Sequence, residues 1–123
     1  MEWNAVYLFL AVAFGGAIGA TLRYAVYRTV DTQFPWATFI VNIIGCTLAA
    51  FIMFRFSGNM DELSRTMIFV GIFGAFTTMS TFSIDTVKLF IGEEYMSAVC
   101  NVFMNAIICV AGAFAGRWLA LLQ

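Results

Sequence analysis

The chain has 123 residues, of which 63% are hydrophobic, 17% aromatic and only 11% charged. A soluble domain carries about 25% charged residues, so this composition excludes one. Six Lys and Arg against seven Asp and Glu leave a net charge of -1, without the basic excess that nucleic-acid phosphates require, and with no histidine the commonest general base and metal ligand are missing as well.

A bilayer core about 30 Å thick takes about 20 helical residues to cross. Four charge-free runs meet that length, at residues 3–22, 34–54, 66–84 and 95–116, and what remains suffices only for loops and ends. The expected fold is a single all-α membrane domain over residues 1–123, with four transmembrane helices and function carried out within the bilayer. The first run follows Glu2, where a leader peptide would carry a basic region, and exceeds the usual apolar length of such a leader, so it reads as a span. Its Gly15-Gly16-Ala17-Ile18-Gly19-Ala20 stretch suits close helix packing. Arg23, Arg28 and Asp31 border the first connection, before Pro35 and Trp36.

In the second run Thr38 and Asn42 stand four apart, on one helix face, with Thr47 beyond them. Ser57-Gly58-Asn59 is the turn signal of the next connection, flanked by Arg55, Asp61, Glu62 and Arg65. The third run is the unusual one. From Gly71 to Ser83 it holds five hydroxyl side chains and two helix-weakening glycines, Gly71 and Gly74, and this density predicts a broken helix. Non-helical backbone at membrane depth persists only where it is buried in protein or lines a hydrated site. Asp85 to Phe90 adds a further helical turn before Glu93 and Glu94. In the fourth run Ser97, Asn101, Asn105 and Cys109 recur every four residues as a polar stripe, which reads either as interhelical hydrogen bonding or as uncharged donors for a passing anion.

Short connections make consecutive helices antiparallel. Arg55, Arg65 and Arg117 then lie on one side and Arg23, Arg28 and Lys88 on the other, three against three. A chain with balanced flanking charge inserts both ways round, and the two forms can pair as an antiparallel homodimer; a lesser weight for Arg23, inside the helix end, leaves a weak bias instead. Trp3, Tyr24, Trp36, Tyr95 and Trp118 near the span ends fit an interfacial aromatic belt. No carboxylate or Lys lies near the middle of a span, which argues against a proton-coupled small multidrug exporter. Cys46, Cys100 and Cys109 have no CxxC spacing and read as packing residues, and no nucleophile–base pair or phosphate loop points to an enzyme.

The segments Gly19-Ala20-Thr21-Leu22-Arg23-Tyr24, Thr38-Phe39-Ile40-Val41-Asn42 and Gly74-Ala75-Phe76-Thr77-Thr78-Met79-Ser80-Thr81-Phe82-Ser83 give the sequence its most specific feature. With four short spans around them, the chain resembles over essentially its whole length the small bacterial and archaeal fluoride channels called Fluc or CrcB. The resemblance implies a dual-topology antiparallel homodimer in the plasma membrane that conducts fluoride passively through two pores at the subunit interface. It implies a structural sodium ion at the dimer centre, held by backbone carbonyls at positions matching Gly74 and Thr77, and a first-helix vestibule arginine matching Arg23. Asn42 matches the second-span asparagine of the fluoride path, and Met79 and Phe82 match two phenylalanines of that path. Thr38, Ser83 and Asn105 are assigned to the same path as uncharged polar groups. The sequence departs from the pattern where Met79 lacks an aromatic ring edge, where Ala75 follows Gly74, where Asp85 replaces a common glutamate, and at Cys109 and Ala113 in the fourth span. The remaining alternative is a non-conducting membrane assembly subunit, for which the polar stripe and the broken helix would serve only to join helices.

Overall fold

The computed structural model describes residues 3–122. Met1, Glu2 and Gln123 lie outside the described residues, as does the Trp3 side chain, and with them the leader-peptide reading of Glu2 and the Trp3 member of the aromatic belt. The described chain is helical between short connections, and four helices are long and apolar enough to cross a membrane. They are α1 (Trp3–Thr29), α2 (Trp36–Phe56), α3 (Glu62–Ile91) and α4 (Tyr95–Leu121).

Each helix runs past the charge-free stretch that announced it, because hydrogen bonding within a helix does not end where the hydrocarbon does. The extension matters most in α3. It reaches Ile91, so the further turn expected over Asp85 to Phe90 is present with Asp85 and Lys88 inside the helix, and Arg23 stands inside α1 as expected. The connections are secured locally. Asp61 caps the start of α3, its carboxylate accepting from the Ser64 N–H, and hydrogen bonding to Ser64, chiefly to its side chain, holds its carboxyl below the ordinary carboxylate range. At the end of α3 the Glu94 N–H donates to the Leu89 carbonyl (2.9 Å) and the Glu93 N–H to that of Phe90 (3.1 Å). Glu93 takes φ 62° there, the left-handed position that glycine usually fills.

Packing follows two pairs. The first half of α3 lies along α1, and α2 lies along α4. In α1, a Cβ on Gly15 would strike the Met67 carbonyl and one on Gly19 the carbonyl of Ile72, so backbone touches backbone. Gly16 meets nothing within 4 Å, so two of the three glycines of that stretch do the packing. A Cβ on Gly116 would likewise meet the Thr47 carbonyl, and one on Gly112 would lie 2.7 Å from the Thr47 Oγ1. Within these pairs the helices are wound loosely in two places, as π-helix over Thr66–Phe73 and Met104–Ile108, the second containing Asn105.

The predicted break is present. Residues 62–76 form the first half of α3, Thr77 (φ -80°, ψ 159°) and Thr78 (φ -152°, ψ 114°) are extended, and Met79–Ile91 form the second half.

Candidate functional site: the interrupted third helix

A helix that stops and restarts leaves backbone groups without partners at both ends. In an unbroken helix the Gly74 carbonyl would accept from the Thr78 N–H and the Thr77 carbonyl from that of Thr81. Instead the Thr78 N–H donates to Asn42 Oδ1 (2.8 Å) and the Thr81 N–H to Thr78 Oγ1 (3.1 Å). Both carbonyls that the resemblance marks for sodium are therefore among those the break releases. That of Thr77 accepts from the Arg23 guanidinium at 3.3 Å. Arg23 is thus half-buried against the break.

Asn42 is the clamp. Its Oδ1 takes the Thr78 N–H while its Nδ2 donates to the Thr78 carbonyl (3.1 Å), so one side-chain amide pairs both backbone groups of the extended residue. This double contact also fixes which way the amide faces. The second Nδ2 hydrogen goes to Asn105 Oδ1 (2.8 Å). Asn105 in turn donates to the Asn101 carbonyl and to Asn101 Oδ1 (both 3.1 Å), Asn101 to Thr86 Oγ1 (2.9 Å), and Thr86 to the Phe82 carbonyl (2.8 Å). A continuous hydrogen-bonded chain therefore links α2, α4, the break at Thr78 and the second half of α3. Asn101 is fully buried within it. Every amide hydrogen of Asn42 has an acceptor inside the protein, so the stripe acts in the single chain as a join between helices.

A second relay lies nearer the membrane surface. Thr38 has one hydroxyl hydrogen, which it donates to Asp85 Oδ2 (2.6 Å), so the Tyr27 hydroxyl at 2.7 Å is the donor to Thr38. Asp85 is thereby an in-helix carboxylate bound to α2. The sequence reading gave Asp85 to a further helical turn at the border of the third connection, and its partner Thr38 was not foreseen.

On the other side of the break the second half of α3 begins with donors. Met79 is 73% exposed and Ser80 is exposed, and both stand where a helix has unpartnered N–H groups. The Thr78 hydroxyl donates to Thr81 Oγ1 (3.0 Å), which leaves Ser80 as the donor in its 3.2 Å contact with Thr78. The hydrogen of the Thr81 hydroxyl then finds no acceptor among the described residues. Ser83 is exposed but spends its hydroxyl on the Met79 carbonyl (2.9 Å), and the Phe82 ring is buried within its own chain. The structure thus gathers Asn42, Asn105, Gly74, Thr77 and Arg23 at the break, keeps Thr38 in the separate Tyr27–Asp85 relay, and leaves Met79 and Ser83 on an open face. Thr78, Thr81 and Tyr27 were not singled out by sequence. The hydroxyl density of the third run was the signal for the two threonines, and Tyr27 had none.

These features define a multi-pass membrane protein built around an interrupted helix, with released carbonyls on one side of the interruption and free donors on the other. The family model described as CrcB-like protein, Camphor Resistance (CrcB), matches residues 10–117, and the chain belongs to that family. It is 39% identical over 121 residues to a protein of Idiomarina loihiensis named fluoride-specific ion channel FluC, covering 94% of each chain. Proteins of the same name from Geobacter sulfurreducens (40% identity, 87% of this chain and 91% of the relative) and Methanococcus aeolicus (37%, 91% and 94%) are similar to it as well.

Proposed function

We propose that this protein is a fluoride channel of the plasma membrane, acting as an antiparallel homodimer whose two pores run along the subunit interface. The relatives' shared name supports the ion. The break in α3 carries the mechanism, because it supplies uncharged donors at membrane depth on a face that the single chain leaves open. Fluoride is small and strongly hydrated, so a pore must replace its water with close donors. The N–H groups of Met79 and Ser80 and the Thr81 hydroxyl are such donors, and the positive end of the second half-helix favours an anion beside them. Asn42 and Asn105 serve the path by holding this arrangement still. Phe82 and Met79 complete its wall. Ser83 contributes its oxygen to anchoring Met79, and Thr38 with Asp85 lines the approach.

The sodium ion belongs to the same proposal. Hard cations take oxygen ligands, and the released Gly74 and Thr77 carbonyls are of that kind. One chain offers too few of them, so a second copy would complete the shell. The ion would supply fixed positive charge beside the anion path and satisfy broken backbone. Undiminished stability and flux after purification without sodium would remove it from the scheme.

The experiment that tests the function is fluoride efflux from liposomes loaded with potassium fluoride and triggered by valinomycin, against a chloride-loaded control. Rapid fluoride release with little chloride release is expected. No release from folded protein would favour a purely structural role in membrane assembly.

A further inference from the structure

We propose that Cys46 and Cys109 together form a two-thiol binding site for Hg(II), buried between α2 and α4. The inference goes beyond the channel reading and does not depend on it. The two cysteines come from different spans, so no sequence spacing announces them. In the fold α2 and α4 bring them to facing positions, one turn beyond a direct contact between the two helices. Their surroundings fix that placement. Cys46 stands four residues after Asn42 and Cys109 four after Asn105, and those two amides are hydrogen-bonded at 2.8 Å. Beyond the cysteines, Gly112 sets the α4 backbone against Ile43 and Thr47 of α2. The thiol pair is therefore held on both sides by contacts between the same two helices. Cys109 is 2% exposed, and Cys46, only partly covered, gives the way in.

The choice of ion follows from ligand number and charge. Zinc takes four ligands, usually closed by His or Cys, but this chain has no histidine, and among the described residues no three His, Cys, Asp or Glu side chains are grouped. Two soft sulfur ligands without a third select a thiophilic cation content with two. Charge within the bilayer then decides between such cations. Two thiolates with a monovalent ion carry a net negative charge, which hydrocarbon surroundings penalise, whereas two thiolates with Hg(II) are neutral. Binding is balanced without redox change: each thiol loses its S–H bond and forms an S–Hg bond, two protons leave to water, and mercury stays divalent.

Cys100 is exposed and apart from the pair, so it provides the single-thiol comparison. The full-length Cys100→Ala protein, purified and loaded with one equivalent of mercuric chloride, is challenged with excess glutathione, and mercury per chain is read by native mass spectrometry. A chelating pair gains an effective concentration that a single thiol lacks, so one mercury per chain should survive about 10² times more glutathione than it does when Cys46→Ala or Cys109→Ala is added. Cys46→Ser serves if the alanine variant does not yield folded protein. The ultraviolet absorption of a bis-thiolate mercury centre should appear with the pair and vanish with either single change. Equal retention with and without Cys46, or mercury lost from the paired protein as easily as from a single thiol, would overturn the site. Because binding is read without flux, the result stands apart from whether the protein conducts fluoride.

Discussion

Asn42 is the residue on which the site turns, and its role differs from the one its type suggests. An asparagine at membrane depth offers donors to an anion, but here both Nδ2 hydrogens are taken, one by the Thr78 carbonyl and one by Asn105. Asn42→Ala would leave the N–H and carbonyl of Thr78 unpaired in a buried place, at about 1–3 kcal/mol for each group. A clear fall in thermal stability, followed by size-exclusion chromatography of heated samples, is the expected result. Asn42→Asp keeps an oxygen for the Thr78 N–H but turns a second oxygen towards the Thr78 carbonyl and adds negative charge beside the path. We expect protein that still elutes as folded but shows no fluoride efflux from liposomes; wild-type efflux would take Asn42 out of the scheme. The residue's importance was legible because polar groups in a span are rare. Its partners were not, since they lie 36 and 63 positions away and sequence alone does not pair them.

At the scale of elements, the break in α3 was legible in the cluster of hydroxyls and glycines, and the helix ends were not. Charge marks where a side chain meets the interface, but Arg23 and Asp85 find partners in Thr77 and Thr38, and so α1 and α3 carry them inside. The α1 glycines show the same limit. Composition indicated a packing face, whereas which glycines touch a neighbour depends on where the first half of α3 lies. Gly16→Ala should leave stability within about 0.5 kcal/mol of the parent. Gly19→Ala, which drives a methyl into the Ile72 carbonyl, should cost about 1–3 kcal/mol or prevent folding, and equal melting of the two variants would refute the packing. The connection after α3 invites the opposite change. Glu93→Gly relieves a left-handed backbone at φ 62° and should stabilise by roughly 1 kcal/mol, read as a higher melting temperature.

For the molecule as a whole, the proposed antiparallel pair requires both orientations in one membrane. With Arg23 engaged inside α1, the flanking count becomes Arg28 and Lys88 against Arg55, Arg65 and Arg117, a bias weak enough to permit both. One added charge should then tip it. Gly58 is exposed with nothing within 4 Å, so Gly58→Lys is sterically free and makes the count two against four, whereas Gln33→Lys in the first connection evens it to three against three. Gly58→Lys should insert mainly one way, by terminal reporter fusions, and lose most of its flux, while Gln33→Lys should insert both ways and keep it. Full flux from Gly58→Lys inserted one way would rule out antiparallel pairing. The long reach of Asn42 also has a meaning in time. Ribosomes add about 5–20 residues per second, so the 63 positions separating Asn42 from Asn105 are roughly 3–13 seconds of synthesis. Throughout that interval the second helix carries an amide with at least one Nδ2 hydrogen still lacking its partner. A chain that stalls before its last helix thus displays an unsatisfied group that membrane quality-control proteases can recognise, and completing the fourth helix conceals it.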